Sequence, residues 1–173
     1  GKEVFSLEEM GAEFSLERVQ TTAPIFNTEK LRWLNGEYLR SRQSSVVSRQ
    51  IYEFYEKKYP LKNIEIIFPL IRERMKILSE FQSLAGFFFE KPKEFERPLK
   101  DQPLKVVRDA LVLCTWTHDA MEKAIRDGSE HSGLKAKDVF MELRLAVTGK
   151  TVGPPLLESL EILGKKETVN RLY

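Results

Sequence analysis

Cysteine and histidine are almost missing from this chain, with one cysteine, Cys114, and two histidines, His118 and His131, in 173 residues. A lone cysteine excludes an intramolecular disulfide and is compatible with a reducing compartment. His118 follows Cys114 by one helical turn, a spacing that suits two ligands of one ion. A metal site needs three or four, however, and His131 falls in a glycine-containing loop with no partner pattern, so no metal is expected. The same shortage leaves no persuasive nucleophile and base, while Glu65, Glu73 and Glu80 are spaced as ordinary exposed helix positions. No catalytic residue is expected in the chain. Long apolar runs are missing too. The nearly uncharged stretch Ile66–Ile71 is far too short to cross a bilayer, and the N-terminal GKEVFSLEEMG lacks the apolar region of a secretion signal. The reading is a cytoplasmic protein with no membrane segment.

What is present is ordinary for a domain with a buried core: 42% hydrophobic and 31% charged residues, net charge +2. The charge is distributed unevenly. Residues 1–28 carry two basic and five acidic groups, residues 29–76 eleven and six, and residues 77–173 fifteen of each. The middle block is either a lysine- and arginine-rich solvated helix face or an electrostatic footprint for nucleic acid. A DNA-binding helix-turn-helix would need a recognition helix rich in base-reading side chains, and none stands out, so DNA is not an expected partner.

The punctuation is helical almost throughout, which predicts an all-α protein. Ser6 and Glu9 form a capping box that opens a short helix to about Phe14, and Ser15 starts another turn through Val19. TTAPIFN, residues 21–27, reads as a loop around Pro24. Asn27 or Thr28 caps a helix with an apolar stripe of Leu31, Leu34, Tyr38 and Leu39, off which Trp33 lies. Ser44 or Ser45 starts the next, carrying Val46, Val47, Ile51, Phe54 and Tyr55 and ending before Pro60. From Lys62 to about Leu84 the pattern is mostly helical, with a kink or restart expected at Pro69. GFFFEKPKEFERP is a break, because three consecutive phenylalanines cannot all face one way on a helix. It divides the chain into residues 1–90 and 100–173. Helices follow over Leu104–Cys114, over Thr117–Arg126 with Thr117 as cap, and over Lys135–Val147, the last two joined by DGSEHSG. Pro155 opens a helix to Leu163, and Gly164 separates it from a last one starting near Lys165.

LRLAVTGKTVGPPL, Leu143–Leu156, holds the Gly149-Lys150-Thr151 triplet that closes a phosphate-binding P-loop. That loop needs a glycine five positions earlier, where Arg144 stands, and it should run straight into a helix. The triplet therefore has another meaning.

Two stretches carry a resemblance. Glu13–Arg40, EFSLERVQTTAPIFNTEKLRWLNGEYLR, resembles the segment that follows the catalytic core in bacterial-type glutamyl-tRNA synthetases, with its Phe-(Asp/Ser)-Leu-Glu-Arg-Val and Lys-Leu-x-Trp-x-Asn-x-x-Tyr-(Leu/Ile)-Arg patterns. Leu143–Leu172, LRLAVTGKTVGPPLLESLEILGKKETVNRL, resembles the end of their anticodon-binding region. The similarity runs in order along nearly the whole chain and is weak in the middle third. It implies two helical-bundle subdomains of a class I aminoacyl-tRNA synthetase, 1–90 with the stem-contact junction and 100–173. The full-length parent would use ATP and Mg to ligate glutamate to tRNA(Glu). Neither catalytic signature of that family is found, so the chain alone should be inactive, without cofactor, monomeric, and a binder of the anticodon stem-loop.

By that resemblance Arg144, Gly153, Pro154 and Leu156 fall where the first two anticodon bases are read. A proline-fixed turn of this kind suits unstacked loop bases, with Leu156 as an apolar surface. Gly153 replaces a hydroxyl-bearing residue of some relatives and Pro155 a glycine, so backbone contacts are what transfers there. Arg74 aligns with the arginine that meets the third base, where cytosine offers adjacent acceptors to a guanidinium and guanine turns donors toward it. Arg72 is the competing register. Arg32, Arg40, Arg42 and Arg49 are candidates for phosphate contacts. The alternatives to this reading are a turn that merely connects two helices and, for the whole chain, a helical protein-interaction or regulatory domain without RNA binding.

Overall fold

Local signals decide most of the elements. The computed structural model describes residues 4–19 and 25–173, and those residues form ten α-helices with no strand among them. In chain order they are α1 Leu7–Glu13, α2 Thr28–Ser41, α3 Ser44–Phe54, α4 Leu61–Ile71, α5 Glu80–Ala85, α6 Asp101–Leu113, α7 His118–His131, α8 Ala136–Thr148, α9 Leu156–Leu163 and α10 Lys165–Arg171. The all-α expectation holds. The Ser6–Glu9 box closes in both directions, at 3.2 and 2.9 Å, and Asn27 accepts from the Lys30 amide at 2.9 Å. Of the expected 21–27 loop, residues 21–24 lie outside the described residues.

Four expectations are corrected. Pro69 does not restart its helix: it lies inside α4, which runs on to Ile71. Pro69 and Glu65, one turn before it, are both exposed, so the carbonyl that loses its donor is on the wet side. The real break comes later, at residues 72–79. DGSEHSG is not a loop either, because α7 continues to His131. A Cβ on Gly128 would sit 3.2 Å from Val106 Cγ1, so this glycine serves close packing of α7 on α6, and Gly133 at φ +68° ends the helix. Thr117 makes no side-chain cap. Glu161 of α9 takes that place, accepting from the His118 amide at 2.8 Å. Finally, α6 begins at Asp101 rather than Leu104, with Pro103 in its first turn where a missing N–H does no harm.

Two apolar clusters form the interior. One gathers Val47 and Ile51 of α3, Ile64, Ile67, Phe68 and Ile71 of α4, then Met75 and Phe81. The other gathers Val107 and Leu111 of α6, Met121 and Ile125 of α7, Val139 and Leu143 of α8, and Leu160 of α9. Each fully buried side chain of this size contributes about 1.5–3 kcal/mol. The three phenylalanines diverge between them: Phe87 is buried in the second cluster, Phe89 packs on the first, and Phe88 touches both. Trp116, between α6 and α7, packs on the second and donates its indole N–H to the Leu160 carbonyl at 3.1 Å.

Charged side chains tie the irregular segments to these bundles. Arg171, 5% exposed, donates to the carbonyls of Phe87 and Val147 at 2.7 and 3.0 Å. Glu142, 1% exposed, receives Arg97 through both oxygens at 3.2 and 2.7 Å and the Lys100 amide at 2.6 Å. That clasp anchors the 90–100 segment to α8.

The α2 stripe is less buried than expected. Only Leu39 is inside, whereas Leu31 is 49% and Trp33 39% exposed. Polar groups hold α2 instead: Asn35 donates to the Lys76 carbonyl, and Tyr38 to the Phe5 carbonyl at 2.6 Å. α1 buries no residue, and Leu7, Met10, Phe14, Leu16, Ile25 and Phe26 all remain open to solvent. Among the described residues no helix is long and apolar enough to cross a membrane.

Candidate nucleic-acid interface

The Gly149-Lys150-Thr151 triplet donates inward. Gly149 caps α8 at φ +77°, and a Cβ there would lie 2.7 Å from the Glu94 carbonyl oxygen, so only glycine fits between α8 and the 90–100 segment. Lys150 Nζ reaches the Ser83 carbonyl of α5 at 2.7 Å. The Thr151 amide and hydroxyl both donate to Glu96 Oε2, at 2.7 and 2.5 Å, and the Glu96 amide answers on the Gly149 carbonyl at 3.0 Å. Hydrogen bonds from the Thr151 hydroxyl and amide hold the Glu96 carboxyl below its ordinary pKa, with Lys150 adding to the effect. A phosphate cradle needs these donors free.

Past the triplet, Arg144 Nη1 donates to the Pro154 carbonyl at 2.7 Å, so the first candidate reader also props the turn that contains two others. Gly153 lies in ordinary contact with the same guanidinium, its ideal Cβ position 3.5 Å from Nη1. Burial lowers the Arg144 pKa, the nearby charge of Arg74 lowers it further, and Glu158 opposes both. The charge of Arg74 thus acts on the same Arg144 that holds the Pro154 carbonyl. Arg74 is exposed on the 72–79 turn, and no hydrogen bond links its guanidinium to another described residue.

Arg72 behaves differently. Its Nη2 donates to the Arg40 carbonyl and, at 3.0 Å, to the Arg42 carbonyl, capping the C-terminus of α2. Of the two registers, the structure leaves Arg74 with free donors and engages Arg72 in the fold.

The turn forms a ridge between two clefts. Val152, Gly153 and Pro154 line one of about 460 Å³, together with Tyr59, Gln82 and Lys93. Arg144 and Leu156 line the other, of about 440 Å³, with Phe140, Met141, Lys137 and Arg126. Leu156 does not stand out as an apolar platform: it is 8% exposed and packed in the second cluster, so it offers an edge to the cleft. Its side chain is needed inside because it opens α9 within the second cluster. Lys137 and Phe140 were missed by sequence reasoning, although both precede Arg144 at helical spacing on α8. Glu96 had no local signal, since its partner Thr151 is far along the chain.

The four phosphate candidates divide. Arg32 pairs with Glu80 at 2.5 Å and Arg40 with Glu37, whereas Arg42 and Arg49 line a separate cleft of about 890 Å³ with Tyr38 and Phe54. Among the described residues no group of three or more His, Cys, Asp or Glu is placed to hold a metal ion.

Residues 29–173 match the family described as anticodon binding domain. A glutamate–tRNA ligase of Fervidobacterium nodosum is 33% identical over 175 residues, covering 99% of this chain and 37% of that protein. One of Acidothermus cellulolyticus is 35% identical over 196 residues, covering 99% and 38%. A solved glutamate tRNA ligase from Elizabethkingia meningosepticum, in complex with its amino acid, superposes with a TM-score of 0.80 at 25% identity, over 99% of this chain and 36% of that one. The chain thus spans little more than a third of the length of the relatives it matches.

Proposed function

The chain belongs to the anticodon binding domain family, and from that premise we propose that it reads the anticodon stem-loop of tRNA(Glu) for a glutamate–tRNA ligase. The observation that carries the proposal is the match of residues 29–173 to the anticodon binding domain family, and beside it Arg74 stands exposed with unengaged donors while Arg144 props the Pro154 turn. An anticodon loop splays adjacent bases beside one another, so in this proposal Arg74 and the Pro154 turn serve one loop. Arg74, with unengaged donors, takes the third base. A cytosine there accepts two parallel N–H bonds, and a guanine leaves donors facing donors. Gly153 and Pro154 offer backbone groups to the other two bases, and Arg42 and Arg49 meet the phosphates of the stem.

In this proposal residues 1–90 and 100–173 act as two units. Ligation of glutamate with ATP and Mg belongs to parts of the enzyme outside this chain. The uncovered side chains of Leu7, Met10, Phe14, Leu16, Ile25 and Phe26 favour a longer protein, in which another segment covers them. The protein works as a monomer in the cytoplasm.

Calorimetric titration of two hairpins that differ only at the third anticodon base, each at two salt concentrations, tests the assignment. The cytosine hairpin should bind about tenfold more tightly than the guanine one, with both affinities falling as salt rises. Equal binding, or none, overturns it.

A further inference from the structure

The segment that joins the two bundles does more than connect them. Between Lys91 and Lys100 it runs along the 148–155 turn, and its Glu96 holds that turn by three hydrogen bonds: two accepted from Thr151, one donated by its own amide to Gly149. The fit is close, since the Glu94 carbonyl fills the space a Gly149 side chain would need. The segment is itself fastened by Arg97 to buried Glu142. On its other side the turn is tied by Lys150 to Ser83 of α5, in the bundle that carries Arg74.

We propose that Glu96 is a positioning residue for RNA recognition: it straps the 148–155 turn into the shape that presents Gly153 and Pro154 to a base, without touching RNA itself. This rests on the assignment of that turn to anticodon reading. A loop shaped before binding loses less conformational freedom on association than one that must be ordered by the ligand. The short span from Glu96 through Thr151 to Pro154 makes the strap local to the reading groups.

The proposal runs against charge counting. Glu96 is a carboxylate beside a polyanion, so its removal should strengthen RNA binding if its charge were all that mattered. If it is a strap, removal should weaken binding and blunt the choice between hairpins.

Glu96→Ala, Glu96→Gln and Thr151→Val are to be compared with the unaltered chain by titration of the same two hairpins, by thermal melting, and by hydrogen exchange of the Thr151 amide without RNA. Glu96→Ala should bind the cytosine hairpin about fivefold more weakly, compress its preference over the guanine hairpin, and expose the Thr151 amide to exchange, with melting little changed. Glu96→Gln keeps an acceptor oxygen without the charge and should retain most of the preference. Thr151→Val, charge intact, should fall between them. Unchanged or tighter binding by Glu96→Ala with its preference intact overturns the strap and leaves the RNA assignment standing, as does a Thr151 amide that remains protected in that variant. Failure of the unaltered chain to bind either hairpin overturns the RNA assignment and the strap together.

Discussion

The two turns that carry the candidate readers are built by opposite means. Residues 72–79 are fastened through their flanks: Arg72 onto the end of α2, the Lys76 and Ile77 amides onto Glu80 at 2.7 and 3.3 Å, and the Ser79 carbonyl onto the Tyr55 hydroxyl at 2.8 Å. This leaves Arg74 pointing out with its donors unused. Residues 148–155 are fastened through their own functional groups, for Lys150 and Thr151 donate inward and the Pro154 carbonyl accepts from Arg144. One turn offers a side chain and the other offers a backbone. An arginine can read a base only where the fold has not already claimed its donors, and Arg72 and Arg74 differ in that respect two residues apart.

The comparison can be broken at several points. Gly149→Ala forces a side chain into left-handed backbone and against the Glu94 carbonyl, and should cost about 2–4 kcal/mol of stability in urea denaturation. A loss under about half a kilocalorie would mean that the two segments are not in contact. Arg97→Ala strands the buried Glu142 carboxylate with only the Lys100 amide. Because Arg97 itself is partly exposed, the expected outcome is a lowered urea midpoint, by less than for Gly149→Ala, read in the same way. Arg72→Met removes two carbonyl partners and should cost about 1–2 kcal/mol, while Arg74→Met should leave stability within about 0.5 kcal/mol. Hairpin binding should rank the pair the other way, and the opposite ranking would exchange their roles.

The smallest effect is electrostatic. The folded-state pKa of Glu96 is depressed, so its grip on Thr151 is complete above the ordinary carboxylate range and is lost only as pH falls through the lowered value. Following the Thr151 amide resonance by NMR during acidification should give a midpoint below that of an unperturbed glutamate. A midpoint at or above it would remove the carboxylate from the turn.

Features governed by neighbours in sequence were legible. The Ser6–Glu9 box, the Asn27 cap and the glycine stop at Gly164 appear where the sequence reading puts them. The pairing of Arg74 with the Pro154 turn comes from the family resemblance rather than from any spacing. What was hidden depends on distant partners. Gly128 resembles a helix stop until Val106 is known to press against it. Pro69 resembles a break until both ends of its missing hydrogen bond prove to face water. Leu156 resembles a surface residue because nothing nearby shows the second cluster closing over it, and Arg72 could not be separated from Arg74 without the α2 carbonyls that lie some thirty residues earlier.

The two tryptophans stand in different halves and different surroundings. Trp33 is partly open to water on α2, whereas Trp116 is packed on the second cluster with its indole bonded to the α9 backbone. Indole emission depends on polarity, so the protein carries an optical gauge on each bundle. With Trp33 changed to phenylalanine, the remaining signal would follow the second bundle alone and show directly whether the halves melt as one body or in succession.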